Sequence, residues 1–144
     1  MEVPSTWVDR VTDYDPNIVD STEMVYYVNP ETEYTSGTLG HFMFSQAVQM
    51  RAYPAPYADI AQQVISSYGT ESYFGEVDSQ ETTFNGHKCF IVTSSIPGDN
   101  LYLCNVVIDR DNNNTATVLF TLQGTPTSIE QVLGYAKSWT PASV

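Results

Sequence analysis

Asn85-Gly86 stands between two extended runs rich in Thr, Val, Ile and Phe, and it constrains the fold more than any other stretch of the chain. A two-residue type I′ turn needs positive φ at both central positions, which Asn followed by Gly supplies, so the dipeptide predicts a β-hairpin. Two further turns follow at regular spacing. "IPGDN" separates "HKCFIVTSS", residues 87–95, from "LYLCNVVID", residues 101–109, and "RDNNN" separates the latter from "TATVLFTLQ", residues 115–123. With the run that ends near Phe84, these segments read as a four-strand antiparallel meander.

The rest of the chain supplies what covers that sheet. "VPSTW" opens it, with Pro4 fixing a bend and Trp7 expected as a core anchor. "MVYYV", residues 24–28, is a short strand, and "NPETEYTSGTLG" is read as loop. "HFMFSQAV", residues 41–48, is nearly continuous in apolar residues, as a central strand buried on both faces would be. Pro54 and Pro56 stop it. Tyr57, Ile60, Ala61, Val64 and Tyr68 then recur on one face of a helix over 57–68, with Gly69 expected as its left-handed cap. At the far end Thr127 and Glu130 have capping-box spacing. Ile129, Val132, Leu133, Ala136 and Trp139 form one apolar face of a second helix, which Pro141 ends. Two amphipathic helices must each bury a face against the sheet. The expected fold is therefore α+β, an antiparallel β-sheet flanked by α-helices, as an α/β/α sandwich whose C-terminal four-strand meander is followed by a helix. At 144 residues the chain is expected to form one domain over 1–144, with 1–23 an acidic, largely irregular segment.

This order of elements resembles the PsbP-like α/β/α sandwich superfamily. The residues that carry the resemblance are the N-terminal "VPSTW", the central helix, the strand leading to "FNGHKCFIV", two more long strands, and a terminal helix ending in Ser-Trp. That superfamily includes a photosystem II subunit, a nuclear-import factor that binds the Ran GTPase, and bacterial envelope lipoproteins. The resemblance spans roughly residues 3–140. It implies a non-enzymatic module that docks on a larger partner, closest in character to the envelope lipoproteins. It carries over no active-site residues, because the quoted motifs are structural.

Charge narrows the partners. The net charge is -12, with only 5 Lys and Arg against 17 Asp and Glu. Nucleic-acid affinity comes mainly from Lys and Arg neutralising phosphates, so nucleic acid and anionic membranes are excluded as partners. A protein or glycan partner remains, and so does a cation on the acidic N-terminal run. No stretch approaches the roughly 20 apolar residues of a membrane span. The opening "MEVPSTWVDR" has no basic or apolar region of a signal peptide. Either the protein is cytosolic, or a signal or lipoprotein anchor has been removed. Charged residues make up 15% of the chain, against about 25% in an average domain, and the polar surface is built from Ser, Thr, Asn and Tyr. That balance favours an extracytoplasmic setting, in the cell envelope or secreted.

Four groups of residues are the chemical candidates. Cys89 and Cys104 flank the Pro97-Gly98 turn and are near-opposite if the hairpin is centred there. A disulfide and two buried free thiols both remain open. His87 with Cys89, Cys104 and His41 is a zinc candidate without the usual ligand spacing. Asp109, Asp111 and Asn113 match the first alternate oxygen positions of a calcium loop. The glycine expected sixth is Asn114, and the acid expected twelfth is Phe120. Tyr26, Tyr27, Tyr34, Tyr53 and Tyr57 are a possible binding face for a glycan or peptide. No Gly-x-Ser-x-Gly or activated nucleophile motif occurs. The reading is of a non-catalytic binding or scaffolding domain with no cofactor. The alternatives are a carboxylate-dependent secreted hydrolase or accessory domain, and an intracellular chaperone-like adaptor.

Overall fold

The computed structural model of the protein describes residues 3–9, 24–30, 33–35, 42–44, 46–70, 77–96, 101–125 and 127–138. In chain order the strands are β1 (Val8–Asp9), β2 (Met24–Val28), β3 (Glu33–Thr35), β4 (Phe42–Phe44) and β5 (Ala47–Tyr53). Helix α1 (Tyr57–Thr70) follows. Then come β6 (Val77–Phe84), β7 (His87–Ile96), β8 (Leu101–Asp109), β9 (Thr117–Gly124) and helix α2 (Ile129–Lys137).

Seven strands form one sheet in the order β1-β2-β5-β9-β8-β7-β6, and every neighbouring pair is antiparallel. The meander is present as expected, from β6 to β9. The turn joining β6 to β7 has Asn85 at φ 51 and Gly86 at φ 81, both positive as type I′ demands. The Asn85 side-chain amide donates to the Lys137 carbonyl at 3.2 Å, tying the hairpin tip to the end of α2.

Alternation along the strands sends side chains to opposite faces, and each face receives one helix. Cys104, Val106 and Ile108 of β8 pack with Trp7, Met50, Phe120, Val132 and Ala136 under α2. Val107, between them in sequence, points the other way and packs with Val92, Tyr57, Ile60, Ala61 and Val64 under α1. The architecture is therefore α+β, a helix on each face of an antiparallel sheet. Trp7 is buried and meets Tyr135 edge-on, with ring centroids 5.1 Å apart, so the N-terminal bend and α2 are fastened together.

Several local expectations change. The run over 41–48 is not one strand. Phe42–Phe44 pairs with Glu33–Thr35 in a separate two-stranded ribbon, where a loop was expected, and the central strand is Ala47–Tyr53. The junction is clamped by Asn29 and Gln46. The Asn29 N–H donates to the Gln46 carbonyl at 3.1 Å, and its side-chain amide to the Gln46 side-chain carbonyl at 2.7 Å. Central strand β5 carries Arg51 and Tyr53 at its end. Arg51 is tolerated there because its guanidinium lies 5.5 Å from the Tyr53 ring centroid.

The helix ends also differ. Gly69 lies inside α1 and is not a left-handed cap. The expected capping box on α2 is replaced by Ser128 at the cap position. Its hydroxyl faces back and accepts the Thr125 N–H at 2.9 Å. Trp139 and Pro141 lie outside the described residues.

Candidate functional site

The turn between β8 and β9 shows how the site is held. Asn112 and Asn114 have φ of 58 and 59, a conformation that Asn tolerates better than most residues. Asp109 is buried at the end of β8, and both its carboxylate oxygens accept the Asn114 N–H, at 3.1 and 3.2 Å. Asp111 accepts the Asn113 N–H at 3.0 Å and the Thr115 hydroxyl. These hydrogen bonds, the Thr115 hydroxyl first, hold the exposed Asp111 carboxyl down at about 2. The calcium candidates Asp109 and Asp111 thus direct their oxygens to the turn's own backbone and the Thr115 hydroxyl, and Asn113 contributes its N–H to Asp111. The Asn114 side chain reaches outward and accepts the Ala58 N–H at 2.9 Å, so the turn caps the start of α1.

Helix α1 lies over β7 and β8 and leaves edge strand β6 uncovered. The step between them is a cleft of about 390 Å³. Its helix side is Tyr57, Ala58, Ala61, Gln62 and Ile65. Its sheet side is Glu81, Lys88, Phe90 and Asp109, with Asn114 at one end. Ala58, Ala61, Ile65 and Phe90 make the apolar part of its lining, and the polar groups are a phenol, an ammonium, two carboxylates and the side-chain amides of Gln62 and Asn114. That is the usual chemistry of a recognition cleft.

Tyr57 is its unusual member. The residue is 5% exposed, and its hydroxyl is buried without a hydrogen-bond partner. Burial, reinforced by the nearby Glu81, Cys89 and Asp109, pushes its phenol up to about 12. It therefore stays protonated and can donate. The Lys88 ammonium sits 5.7 Å from the centre of its ring. A second, more polar cleft of about 350 Å³ lies on the other face of the same edge, along Asp78, Gln80, Ile91 and Thr93.

The remaining candidates are dispersed. Cys89 lies opposite Ile108 and Cys104 opposite Thr93, so the two cysteines are four residues out of register, on the order of 13 Å along the strands. A disulfide needs Cα atoms within about 7 Å. The bridge is replaced by two buried free thiols on the α2 face, each pushed up to about 12 by burial. The hairpin reaches Ile96 and restarts at Leu101, so it is not centred on Pro97-Gly98. The zinc grouping fails for the same reason. His87 instead directs Nδ1 at the Asp109 carbonyl, 2.9 Å away, and His41 lies outside the described residues. Among the described residues, no three His, Cys, Asp or Glu side chains gather so as to hold a metal.

The five tyrosines do not make one face. Tyr27 packs into the α2-side core, Tyr53 and Tyr57 into the α1-side core, Tyr26 stands opposite Gln49, and Tyr34 belongs to the β3–β4 ribbon. Among the tyrosines whose side chains are described, Tyr57 lines the cleft. Glu81, Lys88 and Asn114 had no signal in the sequence as site residues, because isolated polar residues on strands and in a turn read as solvated surface, and Phe90 reads as core. Among the described residues, no helix is long and apolar enough to cross a membrane.

No protein-family model matches the chain, and no curated protein matches it. Among solved structures it is similar to the Ran-binding protein Mog1p of Saccharomyces cerevisiae, with 14% identity and a TM-score of 0.49, covering 96% of this chain and 78% of that one. It is also similar to the cyanobacterial PsbP of Synechocystis, with 9% identity and a TM-score of 0.46, covering 86% of this chain and 95% of that one.

Proposed function

We propose that the protein is a non-catalytic binding domain of a cell-envelope or secreted protein, and that the cleft between α1 and β6 is its recognition site for a protein or glycan segment. The observation that carries this reading is the Tyr57 hydroxyl, buried at the cleft without a partner. A buried polar group left unsatisfied costs about 1–3 kcal/mol. A ligand that accepts a hydrogen bond from Tyr57 recovers that cost on binding. Lys88 is exposed on a flexible stem and is placed to move off the ring as the ligand enters. The extracytoplasmic setting is supported by the low charge content and the five basic residues. The two thiols are compatible with it, because burial keeps them protonated and out of reach of oxidants.

Glu81 and Asp109 line the same cleft, and this is what favours carboxylate-dependent hydrolysis as the second reading. One experiment separates the two. Isotope-labelled protein is titrated with peptide and oligosaccharide panels, and chromogenic esters and glycosides are assayed in parallel. Saturable shifts at Ala58, Glu81, Lys88 and Phe90, weakened by Tyr57→Phe, support binding. Turnover that disappears in both Glu81→Gln and Asp109→Asn overturns it.

A further inference from the structure

The two edges of the seven-stranded sheet are built differently. At one end β1 spans two residues among the described residues, and a short edge strand is one of the ways proteins blunt an edge against unwanted pairing. At the other end β6 runs for eight residues, from Val77 to Phe84, and pairs with β7 at every position without a bulge. It contains neither Pro nor Lys, the usual edge protectors, and the seven residues from Val77 to Thr83 are all exposed. Its only charges are Asp78 and Glu81. Like charges placed on both strands disfavour pairing of β6 with a second copy of itself. They favour a strand of opposite charge.

The outward backbone can be read from the hairpin. Phe84 and His87 close a two-residue turn and form a hydrogen-bonded pair, so the ladder bonds fall at 84, 82, 80 and 78. Ser79, Glu81 and Thr83 then direct their N–H and C=O groups away from the sheet. Their side chains lie on the α1 face, where Glu81 enters the cleft beside Tyr57 and Asp109. Asp78 lies on the opposite face and lines the second cleft. The edge therefore has a carboxylate beside a cleft on each face, three residues apart along the strand.

We infer that β6 receives an extended basic segment of a partner protein, which adds as an eighth strand and places two Lys or Arg residues three positions apart against Asp78 and Glu81. The spacing follows from the pleat. Residues three apart on a strand point to opposite faces, as Asp78 and Glu81 do. The added main-chain hydrogen bonds supply affinity, and the two clefts read the alternate side chains. This inference rests on the reading of the protein as a binding domain and specifies the partner's class.

The test uses three seven-residue peptides with blocked ends, titrated into isotope-labelled protein: TKVTKVT, TKVKTVT and TEVTEVT. The expected result is amide shifts along Val77–Thr83 with TKVTKVT, with affinity falling about tenfold for the acidic peptide. The peptide with its lysines two apart is expected to bind more weakly, because both charges then share one face. Ser79→Pro removes an outward N–H and leaves the β6–β7 ladder bonds in place, so it is expected to abolish the shifts. Asp78→Lys with Glu81→Lys is a second variant that leaves the backbone untouched. It is expected to reverse the preference toward TEVTEVT. Equal binding of all three peptides overturns the inference, as does unchanged binding by Ser79→Pro. Concentration-dependent dimerisation lost in Ser79→Pro also overturns it, by making the occupant a second copy of the chain. Shifts in the α1 cleft with an oligosaccharide, and none with any peptide, overturn this inference while leaving the binding-domain reading intact. Turnover in the hydrolase assay overturns that broader reading instead.

Discussion

Asn114 caps helix α1 across the fold, its Oδ1 accepting the Ala58 N–H at 2.9 Å while its own N–H is held by the Asp109 carboxylate. One residue with φ 59 thereby fixes the turn, the helix and one end of the cleft. Asn114→Ala loses the cap and places an ordinary Cβ at positive φ, for an expected loss of about 2 kcal/mol. Asn114→Gly removes the cap but relieves the backbone, for a loss of about 1 kcal/mol. Urea unfolding of both variants checks the order. Glycine proving as damaging as alanine would assign the whole effect to the cap.

The buried thiols make stability depend on alkaline pH. Cys89 and Cys104 are raised from 9.0 to about 12 in the folded state, and Tyr57 from 10.0 to about 12, in each case mainly by burial. The unfolded chain releases these protons at lower pH than the folded one. Their contribution is complete below pH 9 and falls as pH rises toward 12. Denaturant midpoints across this window are expected to decline, and to decline less steeply in the Cys89→Ala/Cys104→Ala double variant. In the native protein near neutral pH neither thiol reacts with an alkylating agent until the chain unfolds, when both do. A mass for two unlabelled but bridged cysteines in the denatured, unreduced sample would contradict the register found for β7 and β8.

Trp7 and Tyr135 form the contact that binds the N-terminal bend to α2. Trp7→Ala is expected to cost about 3–5 kcal/mol, because a large side chain leaves the core. A double-mutant cycle with Tyr135→Ala is expected to give a coupling of about 0.5–1.5 kcal/mol for the edge-on rings. Thermal or urea unfolding of the four proteins measures it, and independent, additive losses would rule the contact out as a fastening.

Gly86 and Gly124 resist alanine for different reasons. At Gly86 a methyl group meets nothing within 4 Å, but φ is +81, so Gly86→Ala costs about 1–2 kcal/mol through the backbone alone. At Gly124 the added carbon lies 3.1 Å from the Ile129 Cα and 3.2 Å from the Ser128 Oγ. Gly124→Ala therefore costs about 1–3 kcal/mol by pushing β9 and α2 apart. Crystal structures of the two variants distinguish a distorted hairpin turn from a displaced helix.

What was legible in the sequence was local. Asn85-Gly86 reports its own dihedrals, and the apolar spacing from Tyr57 to Val64 reports its own helix face. Trp7, flanked by Pro4, was legible as an anchor because a large aromatic side chain in a bend has few other places to go. The register of β7 on β8 was not legible, because a Pro-Gly pair marks a turn without fixing how many residues it contains. That one difference moved Cys89 from near Cys104 to opposite Ile108 and removed the bridge. The break at Gln46 was equally hidden, since an apolar run does not show which of its residues change partners. The cleft was invisible for a third reason. Glu81, Lys88 and Asn114 meet Tyr57 only through tertiary packing, and each alone has the chemistry of ordinary surface.

The β5–β9 ladder has a consequence for how the chain folds. Strands β6 to β9 each pair with their neighbour in sequence, so that half assembles through short loop closures. Residues 47–53 must instead find residues 117–123, with α1 and the other meander strands lying between them in sequence. Closing that distance is slow relative to hairpin formation. Strands β1, β2 and β5 are then expected to acquire their register on the meander last. Substitutions at Met50 or Phe120 are expected to slow this final docking, while those in the β6–β7 turn act on an earlier step.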